Sequence, residues 1–138
     1  MDFIEKVRKS FAQQKIMNLI GAKLTKIEKG FCEIELPYKT ELTQQNEFIH
    51  AGIIGTIADS AGGYAAYTMM HEGASVLTIE YKLNLLAPAK GDFFIARSRV
   101  VKSGRTISVC NSEVFAKTGE KEKLCATATV TLIAMKQD

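Results

Sequence analysis

The sequence predicts an α+β fold, an antiparallel sheet curled around one buried helix, and three features carry that reading. The stretch 44–70 reads as a helix that is small or apolar on nearly every side, which is the pattern of a helix buried all round. Segments that alternate apolar and polar residues flank it on both sides and read as about six strands. An opening segment, 2–20, has the spacing of an amphipathic helix suited to cover the sheet.

Taken in order, Phe3, Ile4, Val7, Phe11, Ile16 and Leu19 recur at helical spacing among lysines and glutamines. Residues 22–29 alternate weakly, and Gly30 punctuates them. Phe31 to Leu36 then puts Cys32, Ile34 and Leu36 on one face and Glu33 and Glu35 on the other. Pro37 is expected to end that strand, with 38–43 a polar loop. After the helix, Ser75 to Leu86 reads as a strand with Leu77, Ile79, Tyr81 and Leu83 opposite Val76, Thr78, Glu80 and Lys82. Ala87-Pro88-Ala89-Lys90-Gly91 breaks the chain. Three antiparallel strands follow, Asp92 to Lys102, Thr106 to Lys117 and Lys123 to Met135, joined by short turns.

The buried helix is costly by propensity, since Gly55, Gly62 and Gly63 stand where alanine would be better by about 1 kcal/mol each. A helix wrapped by a sheet has to be thin, and that offsets the cost. Gly52, Gly55, Thr56, Asp59, Gly62, Gly63 and Ala66 fall along one strip. Asp59, in the middle of that strip, is the only residue past the first turn that is charged at neutral pH. A carboxylate there has a partner or a job. It either accepts hydrogen bonds from nearby hydroxyls as a structural group, or acts as general base or nucleophile in a slot. His50-Ala51-Gly52 falls at the amino end, where free N–H groups attract a carbonyl oxygen. Donor and carboxylate on one helix are expected to form one acyl-transfer site.

Bulk properties bound the rest. At 138 residues the chain reads as one domain, 1–138, without room for a second core. A net charge of +3 with scattered bases gives no clustered basic face, so nucleic acid is not expected as a partner. No apolar run is long enough for a membrane span. Cys32, Cys110 and Cys125 follow no paired pattern, and the charged start has no apolar leader. Both lead to an expected cytoplasmic location. His50 and His71, the two histidines, leave no histidine-rich metal site.

Together, Asn46-x-x-x-His50-Ala51-Gly52, Asp59-Ser60-Ala61-Gly62-Gly63-Tyr64-Ala65-Ala66, the strand 77–89, Gly104-Arg105-Thr106 and Ala126-Thr127-Ala128-Thr129 resemble the hotdog-fold acyl-CoA thioesterases of the phenylacetic acid degradation type. The resemblance covers roughly residues 20 to 134. It implies a long helix inside a curved sheet, and hydrolysis of an acyl- or aryl-CoA thioester without metal or cofactor, coenzyme A being part of the substrate. It implies Asp59 as base or nucleophile, and Ala51, with Gly52 next to it, as the carbonyl-polarising backbone donor. Thr78 is implied to orient the water, and either Gln44 or Asn46 to be the loop's polar group. The usual histidine-glycine-glycine is His50-Ala51-Gly52 here, which keeps a backbone donor.

His50 is read either as a hydrogen-bonding brace for the helix start or as a proton-transfer group. Lys90, Lys102 and Arg105 are candidates for the coenzyme A phosphates, or else solvated turn charges. The exposed edges and outer face of the sheet lead to an expected homo-oligomer, a dimer or a dimer of dimers (a homotetramer). Two other functions remain open: a hotdog dehydratase or hydratase using His50, and a non-catalytic acyl-CoA-binding protein.

Overall fold

Glycine at two positions of the central helix is a matter of distance rather than flexibility. A Cβ on Gly62 would meet Val130 Cβ and Cγ2 at 3.0 Å, and one on Gly55 would meet Tyr81 Oη at 2.9 Å. The sheet therefore lies against bare helix backbone. The computed structural model describes residues 2–136. In chain order the elements are α1 (Phe3–Gln13), α2 (Lys15–Ile20), β1 (Lys23–Glu28), β2 (Phe31–Pro37), a 3-10 turn (Thr40–Leu42), α3 (Ala51–Tyr67), β3 (Ala74–Leu85), β4 (Phe93–Ser103), β5 (Ile107–Thr118) and β6 (Lys121–Lys136). The strands form one antiparallel sheet in the order β1-β2-β4-β5-β6-β3, curved round α3, so β1 and β3 are its edges. This is the hotdog fold.

The inner face of the sheet carries Cys32, Ile34 and Leu36 from β2, Phe94 and Ala96 from β4, Val114 from β5, and Val130 and Leu132 from β6, all buried against Ile54, Ile57, Ala61 and Ala65 of α3. Polar inner-face groups are satisfied by the helix backbone: Ser112 Oγ donates to Ala58 O at 2.8 Å and Cys110 Sγ to Gly62 O at 3.3 Å. On the outer face Arg97 joins Glu33 (2.8 Å) and Glu122 (2.7 and 2.9 Å) in a bridge between β2, β4 and β6.

Two expectations about the helices are corrected. Residues 44–50 are not helical. They form a loop in which Gln44 N–H bonds Phe48 O (2.8 Å), Glu47 N–H bonds Gln44 O (3.0 Å) and His50 N–H bonds Leu42 O (2.9 Å). Ile49 N–H reaches Ala89 O at 3.1 Å, tying the loop to the segment after β3. The polar run Gln44-Gln45-Asn46-Glu47 suits a turn better than a helix first turn packed on a core. The N-terminal segment is also two helices, broken at Gln14, whose φ of −80° and ψ of 102° are extended. No glycine or proline causes the break. One straight helix that buried Val7 would carry Met17 and Ile20 around to another side, ten residues being about 80° short of three full turns. The break re-phases the chain, so Val7, Met17 and Ile20 are all buried, while Ile16 and Leu19 are 45% and 76% exposed. Gly21, at φ 81°, then ends α2 in the left-handed region. Smaller differences are that Pro37 is the last residue of β2 rather than its stop, and that β6 starts two residues early, at Lys121.

Candidate active site

Asp59 sits on the one flank of α3 that the sheet leaves partly open, together with Gly52, Thr56 and Ser60. Its Oδ1 accepts a hydrogen bond from Thr78 Oγ1 at 2.6 Å. Strict alternation along β3 would send Thr78 to the face opposite Leu83. A bulge between Thr78 and Glu80 inserts Ile79 and resets the register: Thr78 pairs with Leu132, and Tyr81 with Val130. Both partners belong to the inner face, so Thr78 turns inward beside Tyr81 and Leu83. Burial raises the Asp59 carboxyl above its ordinary value, and the Thr78 hydrogen bond draws it partly back. Asp59 Oδ2 has no hydrogen-bond partner among the described residues, and Asp59 lines a pocket.

That pocket, about 410 Å³, is lined by Asp59, Thr78, Ser60 and Gly63, by Val76, Leu77 and Leu132, and by Ser10, Gln13, Gln14 and Tyr64. The helix covering the sheet thus supplies part of its wall. Tyr64 Oη accepts from Gln14 Nε2 at 2.7 Å and shares a hydrogen bond with Ser10 Oγ at 3.2 Å. The sequence analysis did not single out Ser10 or Gln14. The signal was present only indirectly, in apolar positions of 2–20 that no single helix could bury together.

The helix tip forms a second pocket, about 510 Å³, lined by Gln44, Phe48, His50, Ala51, Ile54, Leu85, Leu86, Pro88 and Cys125 among others. His50 is the N-cap, and its Nδ1 accepts the Gly52 N–H at 2.8 Å. That bond fixes Nδ1 as the unprotonated nitrogen. It also occupies the Gly52 amide, so Gly52 offers no donor to a ligand. Ile53 and Ile54 N–H both bond His50 O. Ala51 N–H has no acceptor among the described residues, and Ala51 lines the pocket. Of the two loop amides, Gln44 lines this pocket and Asn46 stands exposed at the loop's tip, its N–H bonded to Gln44 Oε1.

The two pockets share no residue, and this corrects the expectation of one site on one helix. Asp59 is eight residues from Ala51, about 12 Å along the axis. A single carbonyl cannot meet both groups within one chain. The basic candidates are also separated. Lys90 follows Pro88 and Ala89 beside the helix-tip pocket, while Lys102 and Arg105 lie at the far end of β4, roughly 35 Å along that strand. No three His, Cys, Asp or Glu side chains converge among the described residues, and no described helix is long and apolar enough to cross a membrane.

A curved sheet wrapped on a glycine-notched helix is the hotdog architecture, here with an acid on the helix's open flank and an unbonded amide at its tip. The chain belongs to the thioesterase superfamily, whose family model matches residues 46–123. A crystal structure of a thioesterase family protein from Silicibacter pomeroyi is 45% identical and superposes with a TM-score of 0.96, covering 98% of this chain and 99% of that one. A protein of Saccharolobus solfataricus that bears the provisional name of an esterase is 30% identical over 97% of this chain and 87% of its own length. The Escherichia coli PaaI protein of the phenylacetic acid degradation operon superposes with a TM-score of 0.86 over 96% of this chain and 93% of that one; at 16% identity this likeness speaks to the fold alone. A 1,4-dihydroxy-2-naphthoyl-CoA hydrolase of Listeria monocytogenes is 22% identical over 88% of this chain and 97% of its own length.

Proposed function

We propose that the protein hydrolyses an acyl- or aryl-CoA thioester to the free acid and coenzyme A, with Asp59 as the acting carboxylate, in a site completed by a second copy of the chain. The observation that carries this reading is the half-buried Asp59, which lines a pocket and is held by Thr78 through Oδ1, while Oδ2 has no hydrogen-bond partner among the described residues. In its ionised form that oxygen either takes a proton from water as the water attacks the thioester carbonyl, or attacks the carbonyl itself to give an acyl-aspartyl anhydride that water then opens. Either way the sulfur leaves as the coenzyme A thiolate and is protonated. The Listeria relative, whose name specifies a CoA thioester, supports that class of substrate.

The second copy supplies the donor. β3 is a long edge strand whose unpaired backbone edge invites another strand, with Leu77, Ile79, Tyr81 and Leu85 between 42% and 56% exposed on its two faces. Antiparallel pairing of β3 with its copy about a two-fold axis near Tyr81–Lys82 sets Thr78 across from Leu85. Thr78 belongs to the Asp59 pocket and Leu85 to the helix-tip pocket. The pairing therefore brings the carboxylate of one chain beside Ala51 N–H of the other, where that amide can polarise the carbonyl oxygen. Gln44 has its carboxamide oxygen committed to Asn46 N–H, which leaves its NH₂ group for the substrate. The same symmetry brings Lys90 of one chain toward the end that carries Lys102 and Arg105 of the other, a setting for the coenzyme A phosphates. A dimer of such dimers through the outer faces is compatible with it. The three buried, unpaired cysteines favour a cytoplasmic setting.

A dehydratase would need the His50 imidazole as a proton carrier, whereas its Nδ1 is held by the Gly52 amide. The test is thiol release from a panel of acyl-CoAs by the wild type and by Asp59→Asn. Release that Asp59→Asn abolishes supports the reading; undiminished turnover in that variant contradicts it.

A further inference from the structure

The Asp59 pocket runs past Gly63 to Tyr64, about 7.5 Å further along the axis of α3. Its floor at Gly63 is open, because even a Cβ there would meet only Leu132 Cδ2, at an ordinary 3.4 Å. Its far end is polar. Gln14 Nε2 and Ser10 Oγ meet at Tyr64 Oη, at 2.7 and 3.2 Å, and Gln14 is half-buried. The cluster is not saturated: Gln14 Oε1 has no partner among the described residues, and the second Gln14 N–H is also free. The α1–α2 break is what turns Gln14 into this wall. Beyond it the pocket shares Ser10, Gln13 and Val76 with a wider trough of about 730 Å³, where Lys6, Lys9 and Lys29 gather with Asp2 and Glu72. A long aliphatic tail would leave a polar constriction and run into water beside ammonium groups, and burying those polar groups against hydrocarbon is unfavourable.

We propose that the acyl half of the substrate lies along α3 from Asp59 to Tyr64 and carries a hydrogen-bonding substituent at its far end, read by Gln14, Tyr64 and Ser10. This rests on the thioesterase reading and adds a substrate class: short acyl groups with a distal hydroxyl or similar polar function, in preference to fatty acyl chains. A site built to hydrogen-bond a substituent rejects an analogue without it, because its own polar groups are then buried unpaired. The contact is far from the reacting carbon, so it is made equally in ground and transition states and shows mainly in KM.

The test compares hexanoyl-CoA, 6-hydroxyhexanoyl-CoA and palmitoyl-CoA with the wild type, Gln14→Leu and Tyr64→Phe, each variant checked for an unchanged melting transition. The wild type is expected to favour the hydroxylated substrate over hexanoyl-CoA by about ten-fold in kcat/KM. Palmitoyl-CoA is expected to be the poorest of the three. In each variant the ratio between the two six-carbon substrates should fall toward one, through a higher KM for the hydroxylated one. Tyr64→Phe keeps the ring contacts with Phe11 and Tyr67, so a change there isolates the hydroxyl. Equal use of the two short substrates by the wild type overturns the inference while leaving the hydrolase reading intact. So does a preference for palmitoyl-CoA, or a preference for the hydroxylated substrate that survives both substitutions. Failure to release thiol from any thioester overturns the hydrolase reading and this inference with it.

Discussion

Thr78 reaches Asp59 across 2.6 Å only because β3 carries one extra residue between Thr78 and Glu80. The hydrogen bond favours the charged carboxylate, against a burial that disfavours it. Thr78→Val keeps the shape and removes the hydroxyl. The Asp59 pKa should then rise further, and the acid limb of the kcat/KM profile should move to higher pH. A pH–rate profile measures it.

Asp59→Asn separates activity from stability. Activity should drop by about 10²- to 10⁴-fold, the usual worth of a positioned acid or base. Stability should not drop. The folded state raises the Asp59 pKa, so it binds this proton more tightly than the unfolded chain does. That contribution is fully present below the unfolded value and is lost as pH rises through the folded one. At neutral pH the charged carboxylate is therefore a net cost, and the asparagine variant should melt at the same temperature or higher. Well below the ordinary aspartate range the two proteins should melt alike.

The glycines of α3 should differ sharply. Gly62→Ala pushes a methyl against Val130, a fully buried β-branched residue in β6, and should cost about 1–3 kcal/mol despite the better helix propensity. Gly63→Ala meets only an ordinary contact and should be neutral, or stabilising by up to about 1 kcal/mol. Denaturant melts of the two variants decide this.

The three cysteines should behave as inert core residues. Burial pushes Cys32 and Cys110 up to about 12 and Cys125 to about 11, so none holds useful thiolate near neutrality. Iodoacetamide at mildly alkaline pH should leave the folded protein unmodified by mass and label all three thiols in denaturant.

Much of this was legible in the sequence, and what was not has physical reasons. The buried helix showed in its small residues, and the strands of the inner face in Cys32-x-Ile34-x-Leu36 and its counterparts, because each is a local periodicity. Asp59 stood out as a lone acid on an apolar rod. The Gln14 break showed only indirectly, since the phase conflict between Val7 and Met17 is felt only against a common core. The bulge at Ile79 was hidden too, because alternation looks regular until Leu132 fixes which side Thr78 must face. The division of the site between two pockets was masked by the helix itself: Ala51 and Asp59 are near in sequence, yet two turns keep them apart.

That division makes the site's assembly from two chains the central claim, and mixing two crippled chains tests it most directly. Ala51→Pro removes the free amide at the first helical position, where proline is well tolerated, and His50, at φ −58° and ψ 139°, already has the conformation that precedes proline. Asp59→Asn removes the carboxylate. Each variant alone should be nearly inactive. After the two are unfolded together and refolded, half the dimers should be mixed, each with one intact site, restoring about a quarter of wild-type thiol release. No recovery from properly formed mixed dimers would show that donor and acid act within a single chain, and the account would be wrong.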